Sequence, residues 1–229
     1  MMRLTAPFLA AALVGTPLHA SEACTDDAMI VFDGSGSMAE MGFNNIGEPR
    51  IFEARRAMRA TIPQIAQDRD IGLVVYGPNG PDQCAGVDMR FGPSPNAGQA
   101  VIEAADSLAP EGGTALTAAV RLAAEVLDYE TRPGTIVLVT DGKETCGGAP
   151  CQLATELLTR GADLTVHVIG FKVRGAHFDW SIEAGSDYPQ AETVSRCLAD
   201  RTGGTYVNAE TLDDLIAALR VTLGCNVLY

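Results

Sequence analysis

Two carboxylates and three hydroxyl groups follow short apolar runs or glycine-rich turns at separate points of the sequence. These residues are Asp33, Ser35, Ser37, Thr114 and Asp141. Carboxylate and hydroxyl oxygens are the hard ligands that a small divalent cation prefers, with Mg²⁺ as the best match and Mn²⁺ or Ca²⁺ as alternatives. Because hydroxyl ligands neutralise none of the cation's charge, such a site can still attract an oxygen atom from another molecule. The sequence predicts a cation site if the fold brings these side chains together.

The elements around these residues predict an α/β fold. Four short, β-branched-rich apolar runs are typical of strands that are buried on both faces. They are Ala28–Phe32, Ile71–Tyr76, Thr135–Val139 and Leu164–Ile169. Apolar residues spaced three and four apart predict amphipathic helices between or after the runs. These stripes begin at Ile51, Leu116, Leu153 and Leu212.

Two further segments complete the predicted sheet. Val87–Phe91 follows the second run through a turn rich in glycine and proline, without a helix, and therefore predicts an antiparallel edge strand. Thr205–Val207 fits a final short strand. We expect a doubly wound, Rossmann-like, mostly parallel sheet of about six strands, with one antiparallel edge strand and helices on both faces. The polar turns then meet at the carboxyl edge of the sheet, where such folds bind ligands.

The three polar segments together resemble the metal-ion-dependent adhesion site of the von Willebrand factor type A domain. The resemblance rests on Asp-x-Ser-x-Ser after the first strand, a threonine ahead of a mid-chain helix and Thr-Asp-Gly after a later strand. It implies that Asp33, Ser35, Ser37, Thr114 and Asp141 are the ligands of Mg²⁺ or a similar ion. It also implies non-catalytic binding of a protein partner that contributes an exposed Asp or Glu carboxylate.

Two other functions remain open on the sequence alone. The first is a hydrolase-like enzyme that uses the same edge of the sheet, although neither Ser35 nor Ser37 fits the Gly-x-Ser-x-Gly turn of a serine hydrolase. His167 is expected inside a strand, which leaves His177 as the free candidate for a general base. The second is a structural module that binds no metal. We expect a binding module and not an enzyme.

The charge balance limits the class of partner. The chain has 16 basic and 29 acidic residues, a formal net charge of −13, so it would repel nucleic acid and anionic lipid surfaces. No apolar run reaches the roughly 18 residues of a membrane span. We therefore expect no nucleic-acid partner and no membrane insertion. The sequence does not define an oligomeric state.

The N-terminus is typical of a secretory signal peptide. Arg3 precedes an apolar stretch, and a small residue, Ala20, follows Pro17. We expect a signal peptide over residues 1–20, with residue 23 as a second cleavage position, followed by a single domain over residues 24–229. The chain also contains six cysteines, an even number that suits an oxidising compartment. The predicted location is therefore secreted or periplasmic.

Three disulfide bonds are predicted from the positions of these cysteines. Cys146 and Cys151 bracket a Gly-Gly-Ala-Pro turn and could close that small loop. Cys24 and Cys225 precede the first strand and follow the last helix, so both are expected at the amino edge of the sheet. Cys84 and Cys197 then pair by elimination.

Overall fold

The computed structural model describes residues 26–41, 47–78, 80, 82–173 and 188–224. The predicted signal peptide, His177 and the predicted Cys24–Cys225 bond lie outside these ranges. Strands β1 to β6 span Asp27–Asp33, Ile71–Tyr76, Val87–Ser94, Pro133–Thr140, Asp163–Phe171 and Tyr206–Ala209. Helices α1 to α6 span Arg50–Ile65, Gly98–Ser107, Leu116–Val126, Pro150–Arg160, Tyr188–Arg201 and Leu212–Leu223, and a short 3-10 helix spans Gly36–Ala39.

The six strands form one sheet in the order β3-β2-β1-β4-β5-β6. All neighbouring pairs are parallel except β2 and β3, which are antiparallel. This architecture confirms the predicted fold class, including the antiparallel edge strand. Strands β1 and β4 are neighbours, with Phe32 opposite Val139. The residues that follow these two positions, Asp33 and Thr140, therefore leave the sheet side by side.

Alternating side chains of the central strands divide the core into two layers. In β1, Ile30 and Phe32 pack with α1, α2 and α6 on one face. Met29 and Val31 pack with α3, α4 and α5 on the other face. Because helices cover both faces, the central strands β1, β2 and β4 are apolar over most of their length. Polar side chains are thus left to the strand ends, which is where the predicted ligands lie.

Two of the helices were not predicted from periodicity, namely α2 and α5. The buried face of α2 consists only of Gly98, Val101 and Ala105, which is too small an apolar stripe to stand out in the sequence. Its position depends instead on packing against α1, where Arg55 donates to the Ala105 carbonyl at 3.0 Å. No helix in the described ranges has the length and apolar composition needed to cross a bilayer.

Candidate metal site at the carboxyl edge of the sheet

Asp33, the last residue of β1, is fully buried and accepts three hydrogen bonds. The backbone N–H of Ser35 donates to Oδ1 at 2.8 Å, and the Thr140 hydroxyl donates to Oδ2 at 2.8 Å. The backbone N–H of Asp141 also reaches Oδ2, at 3.3 Å. Thr140 in turn accepts a hydrogen bond from the buried Tyr76 hydroxyl at 3.0 Å. Residues from the neighbouring strands β2 and β4 therefore fix the orientation of the Asp33 carboxylate.

Ser35, Ser37 and Asp141 form a continuous chain of oxygen atoms. The hydroxyls of Ser35 and Ser37 are 3.0 Å apart, and the Ser37 hydroxyl donates to Asp141 Oδ1 at 2.5 Å. Ser37 lies in the 3-10 helix that follows β1. Its contact with Asp141 joins the loop after β1 to the loop after β4, across 104 positions of the sequence. Four of the five predicted ligands are thus linked directly by hydrogen bonds.

Thr114 is placed beside this group by its contacts with the loop after β4. Its backbone N–H donates to the Thr145 hydroxyl at 2.8 Å, and its carbonyl accepts from the Thr145 N–H at 3.0 Å. A Cβ atom built on Gly142 would lie 4.0 Å from the Thr114 hydroxyl oxygen. This hydroxyl therefore lies next to the Thr140-Asp141-Gly142 turn. The structure brings the fifth predicted ligand to the same edge as the other four.

Glu144 contributes to the placement of Thr114 and was not identified from the sequence. Its carboxylate accepts hydrogen bonds from the N–H groups of Thr117 and Cys146, both at 2.8 Å. Thr117 lies in the first turn of α3, so Glu144 satisfies one of the unpaired N–H groups at that helix terminus. The segment that supplies Asp141 thereby also holds the start of the helix that follows Thr114.

Two glycines allow the loops at this edge to approach closely. Gly77 follows β2 with a φ of +110°, and a Cβ atom there would lie 2.6 Å from the backbone of Gly34. Gly112 has a φ of +73°, and its Cβ atom would lie 2.3 Å from the carbonyl oxygen of Gly77. Side chains are excluded at both positions by conformation and by space. The hydrogen bond from Gly36 N–H to the Gly112 carbonyl, at 3.0 Å, closes the contact between the loops.

Electrostatics at the site favour a cation. Burial, followed by the negative charge of Asp33, raises the pKa of the Asp141 carboxyl from 3.8 to about 7. The Ser37 hydrogen bond and the positive charge of Arg50 oppose this rise. The positive charge of Arg50 is too small to balance two buried carboxylates. A divalent ion would supply the missing positive charge. The donor set of two carboxylates and three hydroxyls, all through oxygen, fits Mg²⁺ or a similar hard ion.

Arg50 is the second residue that sequence reasoning missed. It begins α1, its side chain is 1% exposed, and its Nη1 donates to Asp141 Oδ2 at 3.2 Å. The same nitrogen donates to the Ser37 carbonyl at 2.8 Å. Arginine is usually solvent-exposed, so the sequence contained no signal for this burial.

The disulfide bonds differ from two of the predictions. The observed bonds are Cys84–Cys146 and Cys151–Cys197, with Cα separations of 5.4 and 5.3 Å. The predicted Cys146–Cys151 and Cys84–Cys197 bonds are therefore wrong. The reason is that α4 begins at Pro150 and turns Cys151 toward α5, whereas Cys146 remains in the loop beside the β2–β3 connection. Local spacing suggested a small closed loop, but the bonds join segments that meet only in the folded sheet.

Histidine 167 has a structural role in this fold. It lies in β5, and its Nδ1 accepts a hydrogen bond from the Thr205 N–H at 3.0 Å, beside β6. Burial, and then the nearby charge of Arg69, lowers the pKa of His167. Within the described ranges, no three His, Cys, Asp or Glu side chains group as metal ligands. The candidate site is distinct from that kind of cluster because three of its five residues contribute hydroxyl groups.

Comparison with known proteins agrees with this architecture. A sequence profile described as von Willebrand factor type A domain matches residues 28–144, which include all five predicted ligands. The uncharacterized protein YwmD of Bacillus subtilis (strain 168) is 27% identical over 212 residues, covering 88% of this chain and 87% of the relative.

Two solved structures illustrate the similarity in fold. An aerotolerance-related membrane protein from Bacteroides fragilis NCTC 9343 has a TM-score of 0.61 at 19% identity, over 86% of this chain and 98% of that chain. Proximal thread matrix protein 1 from the mussel byssus, solved with a zinc-occupied MIDAS motif, has a TM-score of 0.55 at 18% identity, over 86% of this chain and 44% of that chain. Since the family profile matches just over half of the sequence, this chain belongs to the von Willebrand factor type A domain family.

Proposed function

We propose that this protein is a metal-dependent protein-binding module of the cell envelope, used in adhesion or assembly. Its metal ligands are Asp33, Ser35, Ser37, Thr114 and Asp141. The ion is Mg²⁺, with Mn²⁺ or Ca²⁺ as alternatives, and the partner is a protein that presents an exposed Asp or Glu. The module is non-catalytic and forms a single domain over residues 24–229 after a signal peptide.

The convergence of these five side chains at one edge of the sheet carries the proposal. Asp33 and Asp141 supply the negative charge, and both are at least nine-tenths buried. The serine and threonine hydroxyls supply neutral oxygens, which add no negative charge to that of the two carboxylates. A bound divalent ion would supply a Lewis-acidic centre that attracts a carboxylate oxygen of the partner.

Three observations support an envelope location. Four of the six cysteines form disulfide bonds within the described ranges, and such bonds persist mainly in oxidising compartments. The N-terminal sequence has the order of a secretory signal. A structurally similar protein from Bacteroides fragilis is described as a membrane protein, which agrees with a role at the envelope. We assign the mature protein to the periplasm or the exterior of the cell.

The test is capture of partners from the native envelope fraction in parallel samples with Mg²⁺ and with EDTA. Asp33→Ala serves as the metal-site variant. Asp27→Ala serves as the control, because Asp27 lies at the opposite end of β1 and pairs with Arg132 at 2.7 Å. We expect the same proteins to be captured by wild type and by Asp27→Ala in Mg²⁺, and not by Asp33→Ala or in EDTA. Capture that is unchanged in EDTA would contradict the proposal.

A further inference from the structure

Arg50 is a buried cation in direct contact with the candidate ligands. Its Nη1 lies 3.2 Å from Asp141 Oδ2, and both side chains are excluded from solvent, at 1% and 0% exposure. Glu40 lies 3.6 Å from the same nitrogen, but the Glu40 side chain is 47% exposed. Solvent screens most of that second attraction. Asp141 is therefore the main anionic partner of the Arg50 guanidinium.

The other donors of this guanidinium are poorly satisfied. Nε and Nη2 of Arg50 are buried, and the described residues provide no acceptor for either nitrogen. Burial of a charged group with unpaired N–H groups is unfavourable for folding. The contacts that offset this cost are the ion pair with Asp141 and the hydrogen bond to the Ser37 carbonyl. Both of these contacts are made to residues of the candidate metal site.

A neighbouring ion pair leaves the charge balance of the site unchanged. Glu53, one turn further along α1, contacts Lys172, the residue after β5, and the two side chains are 6% and 5% exposed. This pair is neutral as a whole. The buried charge at the site is thus set by two carboxylates, Asp33 and Asp141, and one guanidinium, Arg50.

We infer that Arg50 is an internal counter-cation of the metal site, which stabilises the Asp141 carboxylate in the metal-free protein and repels the divalent ion when it binds. This inference rests on the proposed function. Without metal, Arg50 offsets one of the two buried negative charges. With a divalent ion, the same group makes the net buried charge positive. Arg50 would thereby keep the metal-free fold stable, lower the affinity for the ion and increase the attraction for an anionic partner.

The test compares Arg50→Gln with wild type by thermal unfolding, in EDTA and in saturating MgCl₂, and by calorimetric titration with MgCl₂. In EDTA the variant should melt at a lower temperature, because Asp141 loses its counter-charge. The increase in Tm caused by Mg²⁺ should be larger than in wild type, since the ion then supplies the missing charge. The Kd for Mg²⁺ should be about tenfold tighter, because a like charge has been removed.

Arg69→Gln is the matched control. Arg69 is also a buried arginine, 6% exposed, but it pairs with Asp26 at 2.6 Å near the start of β1, at the opposite edge of the sheet. This variant should lower Tm by the same amount in EDTA and in Mg²⁺ and should leave the Kd for Mg²⁺ unchanged. Arg50→Lys retains the charge and should bind Mg²⁺ within about threefold of wild type.

Three results would overturn the inference. An equal loss of Tm for Arg50→Gln in EDTA and in Mg²⁺ would show a purely structural role. A weaker Kd for Mg²⁺ in Arg50→Gln would show that orientation of Asp141 outweighs charge repulsion. If Arg50→Gln folds in neither buffer, a Kd for Arg50→Lys that differs from wild type by more than tenfold would exclude the charge effect. By contrast, if Mg²⁺, Mn²⁺ and Ca²⁺ neither change the Tm of the wild-type protein nor bind to it in calorimetric titration, the proposed function itself would be refuted.

Discussion

Asp33 and Asp141 are both buried carboxylates, but different kinds of donor satisfy them. Asp33 accepts hydrogen bonds from the Thr140 hydroxyl and from the backbone N–H groups of Ser35 and Asp141. Asp141 accepts from the Ser37 hydroxyl and from the Arg50 guanidinium. We therefore expect Asp33 to keep one orientation with or without an ion, and Asp141 to respond to the charge that is present.

A substitution at Thr140 tests whether the orientation of Asp33 matters. Thr140→Val keeps the shape of the side chain but removes the hydroxyl that donates to Asp33 and accepts from the buried Tyr76 hydroxyl. The free energy of unfolding should fall by about 1–3 kcal/mol. The affinity for Mg²⁺ should fall by roughly 10- to 100-fold, as for other groups that orient a metal ligand. Urea unfolding and calorimetric titration measure the two effects.

Tyr76→Phe is the control for this prediction. It removes the Tyr76 hydroxyl, which donates to Thr140, and retains the hydrogen bond between Thr140 and Asp33. It should cost about 1 kcal/mol of stability and change Mg²⁺ affinity little. If both substitutions weaken Mg²⁺ binding to the same extent, the Thr140 hydroxyl has no specific role in orienting Asp33.

Among the helices, strands and loops, two disulfide bonds connect different parts of the fold. Cys84–Cys146 joins the β2–β3 loop to the loop after β4. The Gly113 N–H donates to the Gln83 carbonyl at 2.6 Å, so the β2–β3 loop also contacts the segment that contains Thr114. Cys151–Cys197 joins α4 to α5. The first bond therefore joins the loop that supplies Asp141 to a loop that contacts the Thr114 segment, and the second connects two covering helices.

This difference predicts unequal effects on the metal site. Each bond closes a segment of 62 or 46 residues, which corresponds to about 4 kcal/mol of stability in the chain-entropy treatment. Cys84→Ser/Cys146→Ser and Cys151→Ser/Cys197→Ser should therefore melt at similarly reduced temperatures. Only the first variant should bind Mg²⁺ more weakly, by about tenfold. Equal Mg²⁺ affinities in the two variants would exclude a role for Cys84–Cys146 at the site.

The order of strands and loops also explains which residues of the candidate site could be predicted from the sequence. Asp33 and Asp141 were predictable because each follows a strand-forming run, and parallel strands place their carboxyl ends at one edge. Arg50 was not, because its burial depends on Asp141, which is 91 positions away. The pairing of Cys84 with Cys146 depends in the same way on loops that meet only after the sheet has formed. Short-range patterns therefore predicted that the candidate ligands would meet at one edge of the sheet and failed for contacts between the loops.

At the scale of the whole molecule, the net charge of −13 opposes the proposed partner chemistry. A protein with this charge repels an acidic partner at long range, so the attraction must come from the local metal centre. Salt screens the long-range repulsion over a distance of about 10 Å at 0.1 M ionic strength. The partner's affinity should therefore rise modestly as NaCl is added and should be lost in EDTA.

Surface-based binding assays with a captured partner can measure this dependence at several NaCl concentrations, each with Mg²⁺ and with EDTA. A partner that binds less tightly as salt increases would indicate a basic contact surface and would argue against a partner carboxylate at the ion. Undiminished binding in EDTA would argue against any role of the metal.

Calorimetric titration of the mature protein with MgCl₂ measures directly whether the carboxyl edge of the sheet binds a divalent ion. The comparison is wild type, Asp33→Ala and the control Asp27→Ala, with circular dichroism used to verify that all three are folded. Removal of Asp33 leaves a doubly charged ion facing one carboxylate and neutral oxygens, while the buried sheet persists. We expect Mg²⁺ binding by wild type and Asp27→Ala and none by folded Asp33→Ala. Equal Mg²⁺ binding by wild type and Asp33→Ala, or none by wild type, would contradict it.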